Sequence, residues 1–291
     1  MNKTERKIPP SLDGIRSEAE LWERYPRLRP GARGSEVLPL AALLGLIIVA
    51  WYALTLVAGV PKYILPSPHE IVVALANNLR LIASHLVVTL FEAVTGLAIA
   101  VVLGIAVSFV IVWSPWLGRA ILPLLTVLQT TPKVAIAPLF LFWFGFGYLP
   151  KVVIAFLIAF FPIVIATSTG LASTQKELLE LVRSLSTRMR HEFLRVRFPA
   201  ALPYFFSGFK IAVTLSVIGA LVGEFVGSDA GLGYLILVAN STLDAPMLFA
   251  VIVVTALMGY ALFAAVQLLE RLVMPWHASA KTTRPIFDER A

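Results

Sequence analysis

Six long apolar runs alternate with shorter polar stretches along this chain: 37–60, 86–112, 120–144, 152–171, 204–226 and 247–269. Runs of about 20 apolar residues match the ~30 Å of hydrocarbon in a bilayer. Inside lipid every backbone polar group must be bonded within its own segment, so each run is expected to be helical. The pattern therefore predicts an all-α membrane protein with six transmembrane helices. The third run carries Pro123, Pro132, Pro138 and Lys133. Proline removes a donor and bends a helix, so this run is expected to be broken or re-entrant. Between the first two runs, Ile71, Val72, Leu75, Leu79 and Ile82 form a helical stripe, preceded by Ser67 and Pro68. Serine at the N-cap with proline at the first helical position predicts a short amphipathic helix within 65–85.

Composition narrows the class. Of the 291 residues 58% are hydrophobic and 14% charged, with mean hydropathy +0.85; soluble domains carry about 25% charge. There is no cysteine, which excludes disulfides, thiolate metal sites and cysteine nucleophiles. The formal charge of +7 borders the apolar runs, which argues against nucleic acid as partner. With the N-terminus placed in the cytoplasm, nineteen Lys and Arg fall inside and only Lys62, Arg80 and Lys151 outside. The positive-inside rule then gives N- and C-termini in the cytoplasm. Residues 1–36 read as a polar, basic cytoplasmic arm without a signal peptide, and 274–291 as a cytoplasmic tail. Trp113, Trp116, Trp143 and Trp276 read as interfacial anchors.

The longest polar interruption, 172–203, lies on the cytoplasmic side. Leu178, Val182, Leu185, Met189, Phe193 and Val196 recur at steps of three and four, placing them on one helix face. Ser186 and Thr187 compete for local backbone bonds, so two short helices with an exposed bend are expected. Pro199 and Pro203 mark the end, before the fifth run. The stretch reads either as a solvated cover over the ends of the helices or as a surface on which a soluble partner docks.

Within it, Glu180, Ser186, Val196, Phe198 and Pro199 keep the spacing of one motif. The loop resembles the EAA loop of permease subunits of ATP-binding-cassette (ABC) importers, whose pattern is Glu-Ala-Ala, then Gly, then Ile-x-Leu-Pro. Leu181 and Val182 replace the two alanines and Ser186 the glycine; the register is intact. The likeness continues in Leu65-Pro66-Ser67-Pro68, Ala137-Pro138-Leu139-Phe140, Trp143-Phe144-Gly145-Phe146-Gly147, Phe160-Phe161-Pro162, Gly223-Glu224 and 231–236. Together these resemble the nitrate/sulfonate/taurine-type branch of the binding-protein-dependent permeases. The resemblance implies a type I importer in a bacterial plasma membrane, with partners of three kinds: a cytoplasmic ABC ATPase, an extracytoplasmic substrate-binding protein and a second permease subunit, expected to be identical. It implies that Glu180, Arg183, Ser184, Leu185, Ser186, Thr187, Val196 and Pro199 couple to the ATPase. ATP is expected on that partner, because this chain has no G-x-x-x-x-G-K-S/T phosphate loop and holds no cofactor of its own. The chain is thus expected to be a non-catalytic transport subunit.

Four charges interrupt the apolar runs: Glu92, Lys133, Lys210 and Glu224. Ionisable residues at membrane depth are functional candidates by default. Lys210 lies near a run's cytoplasmic start, where it can snorkel. Glu92 lies about 10 Å from its run's outer end and Lys133 at a similar level, so the two could pair across the second and third runs. Glu92, Lys133 and Glu224 are the candidate pathway residues; a purely structural ion pair is the alternative. Thr130-Thr131-Pro132-Lys133 and Thr89-Leu90-Phe91-Glu92 resemble relatives that import pyrimidine precursors or riboflavin-like heterocycles, with nitrate, sulfonate or taurine as the other option. A secondary transporter or channel working without an ATPase is the rival reading; it would show inverted repeats or dense midplane charge, and neither is present. His69, His85, His191 and His277 have no metal-ligand spacing and read as solvated.

Overall fold

A computed structural model describes residues 33–57, 61, 63–174, 176–184 and 189–275. The chain divides into two units, Met1–Val60 and Pro61–Ala291. The first unit contributes helix α1 (Arg33–Val57), whose residues 45–50 are exposed apolar positions apart from Gly45.

The second unit is helical throughout its described residues. It begins with α2 (Pro68–Asn77), where Ser67 and Glu70 form a reciprocal capping box: the Ser67 N–H donates to Glu70 Oε2 (2.9 Å) and the Glu70 N–H to Ser67 Oγ (3.3 Å). This is the start expected from Ser67-Pro68. The amphipathic element is shorter than 65–85, because Asn78 caps α2 by donating from Nδ2 to Ala74 O (2.9 Å). Leu79 and Ile82 belong instead to α3 (Leu79–Trp113), a 35-residue helix about 52 Å long. After it come α4 (Pro115–Thr130), α5 (Lys133–Phe144), α6 (Tyr148–Ala172), α7 (Lys176–Ser184), α8 (Met189–Glu192), α9 (Phe198–Gly227), α10 (Leu232–Ser241) and α11 (Ala245–Val273).

Four of these helical stretches are long and apolar enough to cross a membrane, and α4 with α5 forms a fifth, bent pair. The bend is 93°. Its cause is Pro132, which pushes the preceding residue out of the helical region; Thr131 is extended, at φ −65° and ψ 132°. The third apolar run is thus broken, as its prolines predict.

Helix α6 is the centre of the unit and packs most extensively on α9 and α3. Lipid supplies no hydrophobic drive for helices to associate, so close van der Waals approach must do so, and small residues permit it. The buried face of α3 is Ala93, Gly96, Ala100, Gly104 and Ser108; that of α9 includes Gly208, Ala212, Ser216, Ala220 and Gly223. Ala155 of α6 is gripped from both sides. A Cβ on Gly96 would lie 2.7 Å from Ala155 Cβ, and one on Gly219 would lie 2.6 Å from Ala155 Cα. Both glycines are required by that contact.

Prolines 199 and 203 do not end the polar stretch as expected. A π-helical turn, Phe193–Arg197, runs directly into α9, which contains both. A proline ring crowds the carbonyl four residues back in a regular helix, and the widened turn lies where Pro199 needs that room. Of the predicted amphipathic face, Val182, Phe193 and Val196 are half-buried. Among the described side chains of α7, Leu179 is buried, one position on from Leu178, whose side chain lies outside the described residues.

Candidate functional site

Three positions on α3, His85, Thr89 and Glu92, share a face because they are spaced by four and three residues. Around them the fold gathers the first turn of α6, the last turn of α9 and the start of α10. Thr89, Glu92 and Glu224 are fully buried, and Lys151 is 5% exposed.

Glu92 and Lys151 form an ion pair, 2.6 Å from Oε1 to Nζ. Lys151 also donates to Ser228 Oγ (2.9 Å). Glu92 and Lys133 do not pair. Lys151, which reads in the sequence as one of the outer loop cations, is the partner instead. Glu224 lies beside Glu92, but no hydrogen bond of good geometry joins their carboxyl groups. Beyond Lys151 the Glu92 oxygens have no partner among the described residues.

Glu224 faces the N-terminus of α10. The first turn of a helix leaves backbone N–H groups unsatisfied, and here three successive ones find side-chain acceptors. Gly231 N–H donates to His85 Nδ1 (2.8 Å), Leu232 N–H to Thr89 Oγ1 (2.7 Å) and Gly233 N–H to Glu224 Oε2 (2.5 Å). The Thr89 hydroxyl in turn donates to Glu224 Oε1 (2.7 Å). Such an N-terminus favours an anion, and the chain supplies its own. Gly231 is at φ +111°, and a Cβ there would collide with the Glu224 carboxylate. His85 is therefore no solvated loop residue; its ring also stacks on Tyr234, with centroids 5.8 Å apart.

Lys133 occupies a different setting. It is half-buried at the first position of α5. Its ammonium donates to Gln129 O (2.8 Å), across the break from α4, and lies 4.7 Å from the Phe161 ring centroid, a cation–π distance. The aromatic side chains Phe142, Trp143 and Phe146 beyond it are exposed. Lys210 does not snorkel free: it pairs with Glu270 of α11 at 2.5 Å.

At the far end of α6, the loop residues are only partly described. Glu180 and Ser184 are exposed on α7; Val196 and Pro199 are half-buried. Leu185, Ser186 and Thr187 lie outside the described residues, as does the side chain of Arg183. Glu192 is buried and accepts two N–H bonds from Arg197, both 3.0 Å. Phe193 packs edge-on against Phe109 of α3 at 4.6 Å. The π-helical turn is thereby fastened to the helical core, while Glu177 and Glu180 of α7 are exposed. Among the described residues no cluster of His, Asp and Glu fits a metal ion.

Comparison with known proteins places this architecture. Residues 96–275 match the family described as "Binding-protein-dependent transport system inner membrane component". The chain is 40% identical over 232 residues to the formylaminopyrimidine transport permease protein ThiX of Halalkalibacterium halodurans, covering 79% of this chain and 92% of ThiX. It is 37% identical over 245 residues to the riboflavin transport system permease protein RibX of Chloroflexus aurantiacus, covering 83% and 91%. A putative aliphatic sulfonates permease, SsuC of Bacillus subtilis, is 29% identical, covering 87% and 92%. The fold is shared with the inward-facing MetNI methionine ABC transporter, with TM-score 0.60 and 19% identity over 68% of this chain and 98% of that one. The chain belongs to the binding-protein-dependent transport system inner membrane component family and is a permease subunit of an ABC importer.

Proposed function

We propose that this permease carries a small heterocycle, a pyrimidine precursor or a riboflavin-like molecule. The observation that carries this is the gradient of similarity: 40% and 37% identity to ThiX and RibX, against 29% to SsuC of Bacillus subtilis and 24% to the taurine permease TauC of Escherichia coli.

An extracytoplasmic binding protein delivers the solute and a separate ATPase, which binds the ATP, drives the cycle. Counting α1 and the bent α4–α5 pair as one span each gives six spans, with both termini cytoplasmic in a bacterial inner membrane. The exposed face of α7, centred on Glu180, and the segment from Arg183 to Thr187 dock on the ATPase. The π-helical turn with Val196 and Pro199 passes that movement into α9. Two copies of the chain enclose the path, and Lys133, at the α4–α5 break, borders it. Nucleotide and solute shift the balance between inward- and outward-facing states only through their different affinities for the two.

The test is ATPase stimulation in proteoliposomes containing this chain, its ATPase and its binding protein. Formylaminopyrimidine or riboflavin is expected to raise ATP turnover several-fold and taurine to leave it at the basal level. Stimulation by taurine alone overturns the heterocycle reading.

A further inference from the structure

His85 enters neither the family motif nor the proposed path, yet it holds the first of the three N–H groups at the start of α10. We infer that His85 is a positioning residue for transport: through a neutral imidazole it completes the three-acceptor seat that fixes α10 to α3, and protonation of that ring unseats the helix.

The argument is one of donors and acceptors. Nδ1 of His85 accepts the Gly231 N–H at 2.8 Å. A ring nitrogen can accept only when it carries no proton, so the seated form is the tautomer protonated on Nε2. A doubly protonated imidazole is a donor at both nitrogens, and the Gly231 N–H would then face another N–H. The other two acceptors, Thr89 and Glu224, are fully buried, and the Thr89 hydroxyl takes up no proton. His85 is only half-buried, so water reaches it.

Charged and titratable groups on the neighbouring elements are His69 and Glu70 of α2, Tyr148 and Lys151 of α6, Glu224 of α9, Asp229 in the following turn, Tyr234 of α10 and Asp244 at the start of α11, with Arg80 and Glu92 on α3 itself. Tyr234 stacks on the His85 ring, and Glu224 already accepts from Thr89 and Gly233. A charged His85 would draw the Glu224 carboxylate away from Gly233, which loosens the same seat a second time. The device therefore works in one direction: acid on the side that bears α10 releases the N-terminus of α10. Unperturbed histidine changes charge between pH 5 and 8, which sets the range of the test.

Hydrogen exchange tests this directly on the full chain in lipid nanodiscs, without any solute, and so separately from the heterocycle reading. Protection of the backbone over 229–236, corrected for the intrinsic rate at each pH, is expected to fall roughly threefold to tenfold in the wild type between pH 8 and pH 5, the change expected of one net hydrogen bond. His85→Asn keeps an acceptor at the position of Nδ1 and cannot take up a proton. Its protection is expected to stay near the wild-type pH 8 level throughout. In proteoliposomes, ATP-driven uptake by the wild type is expected to drop relative to His85→Asn as the pH on the α10 side is lowered. A wild type with flat protection overturns the inference. So does a His85→Asn variant that keeps the wild-type pH dependence, because the titrating group would then be another.

Discussion

Two intramembrane polar regions of this permease are built on opposite plans. Where α3, α6, α9 and α10 meet, Glu92, Lys151, Thr89 and Glu224 are buried; Glu92 pairs with Lys151, and Glu224 accepts from Thr89 and from the start of α10. At the α4–α5 break, Lys133 is half-buried, bonded to a carbonyl of the preceding helix and set over the ring of Phe161. Both regions look alike on a hydropathy plot, as charges in apolar runs. They differ in what a charge is asked to do. A buried, paired charge fixes how helices sit; a charge left half-open at a broken helix is available to whatever passes. On the function proposed above, the first plan marks scaffold and the second pathway.

The largest effect that can break this distinction lies at Lys151. Lys151→Met leaves the fully buried Glu92 without its cation, and losing one partner of a buried pair costs about 3–5 kcal/mol. The Lys151→Met, Glu92→Leu double variant removes both charges and is expected to recover most of that loss. Thermal unfolding in detergent reads the cycle. A Lys151→Met single variant as stable as the wild type shows that Glu92 is not held by this pair, and with it the scaffold assignment goes.

Glu224 gives a smaller effect and sharpens the same contrast. Its two oxygens accept from Thr89 and from the Gly233 N–H. Glu224→Gln preserves the size of the side chain but turns an NH2 toward one of those donors. Leaving a buried donor unsatisfied costs about 1–3 kcal/mol. The loss is expected to fall locally, as reduced exchange protection at the start of α10, with little change across the α3–α6 contact. Equal loosening at both places counts against a distinct role for Glu224 in seating α10.

Why was the second region legible in the sequence and the first only in part? Pro132 acts through its own ring on its own neighbour, so the break could be read locally. The Ser67 cap was legible for the same reason. Glu92 and Glu224 stood out as charges in apolar runs, but their partners did not. Lys151 sits one turn inside α6, at the edge of an apolar run, where it is indistinguishable from a loop cation. Depth along the chain matched Glu92 to Lys133, and the 93° bend took Lys133 elsewhere. α10 was hidden behind the turn-forming residues Ser228, Asp229, Gly231 and Gly233; the signal that could have found it was the apolar run Leu235–Val238 just after them. His85 reads from the sequence as solvated, because its role depends on a backbone N–H 146 residues away.

Lys133 gives the smallest expected change in stability, and that is what makes it informative. Its ammonium is half-open to its surroundings, its hydrogen bond is to a carbonyl that can find water, and a cation–π contact at a partly exposed site contributes about 0.5–1 kcal/mol. Lys133→Met retains the apolar stem that packs near Phe161. Unfolding of this variant is therefore expected to shift by no more than about 1 kcal/mol, well below the shift at Lys151. If the α4–α5 break borders the path, uptake in proteoliposomes should nevertheless fall about tenfold, equivalent to roughly 1.4 kcal/mol on the transport barrier, while Lys133→Arg, which keeps the charge, retains most of it. A variant that loses stability and uptake together would place Lys133 with the scaffold, and one that loses neither would leave the broken helix without a part in transport.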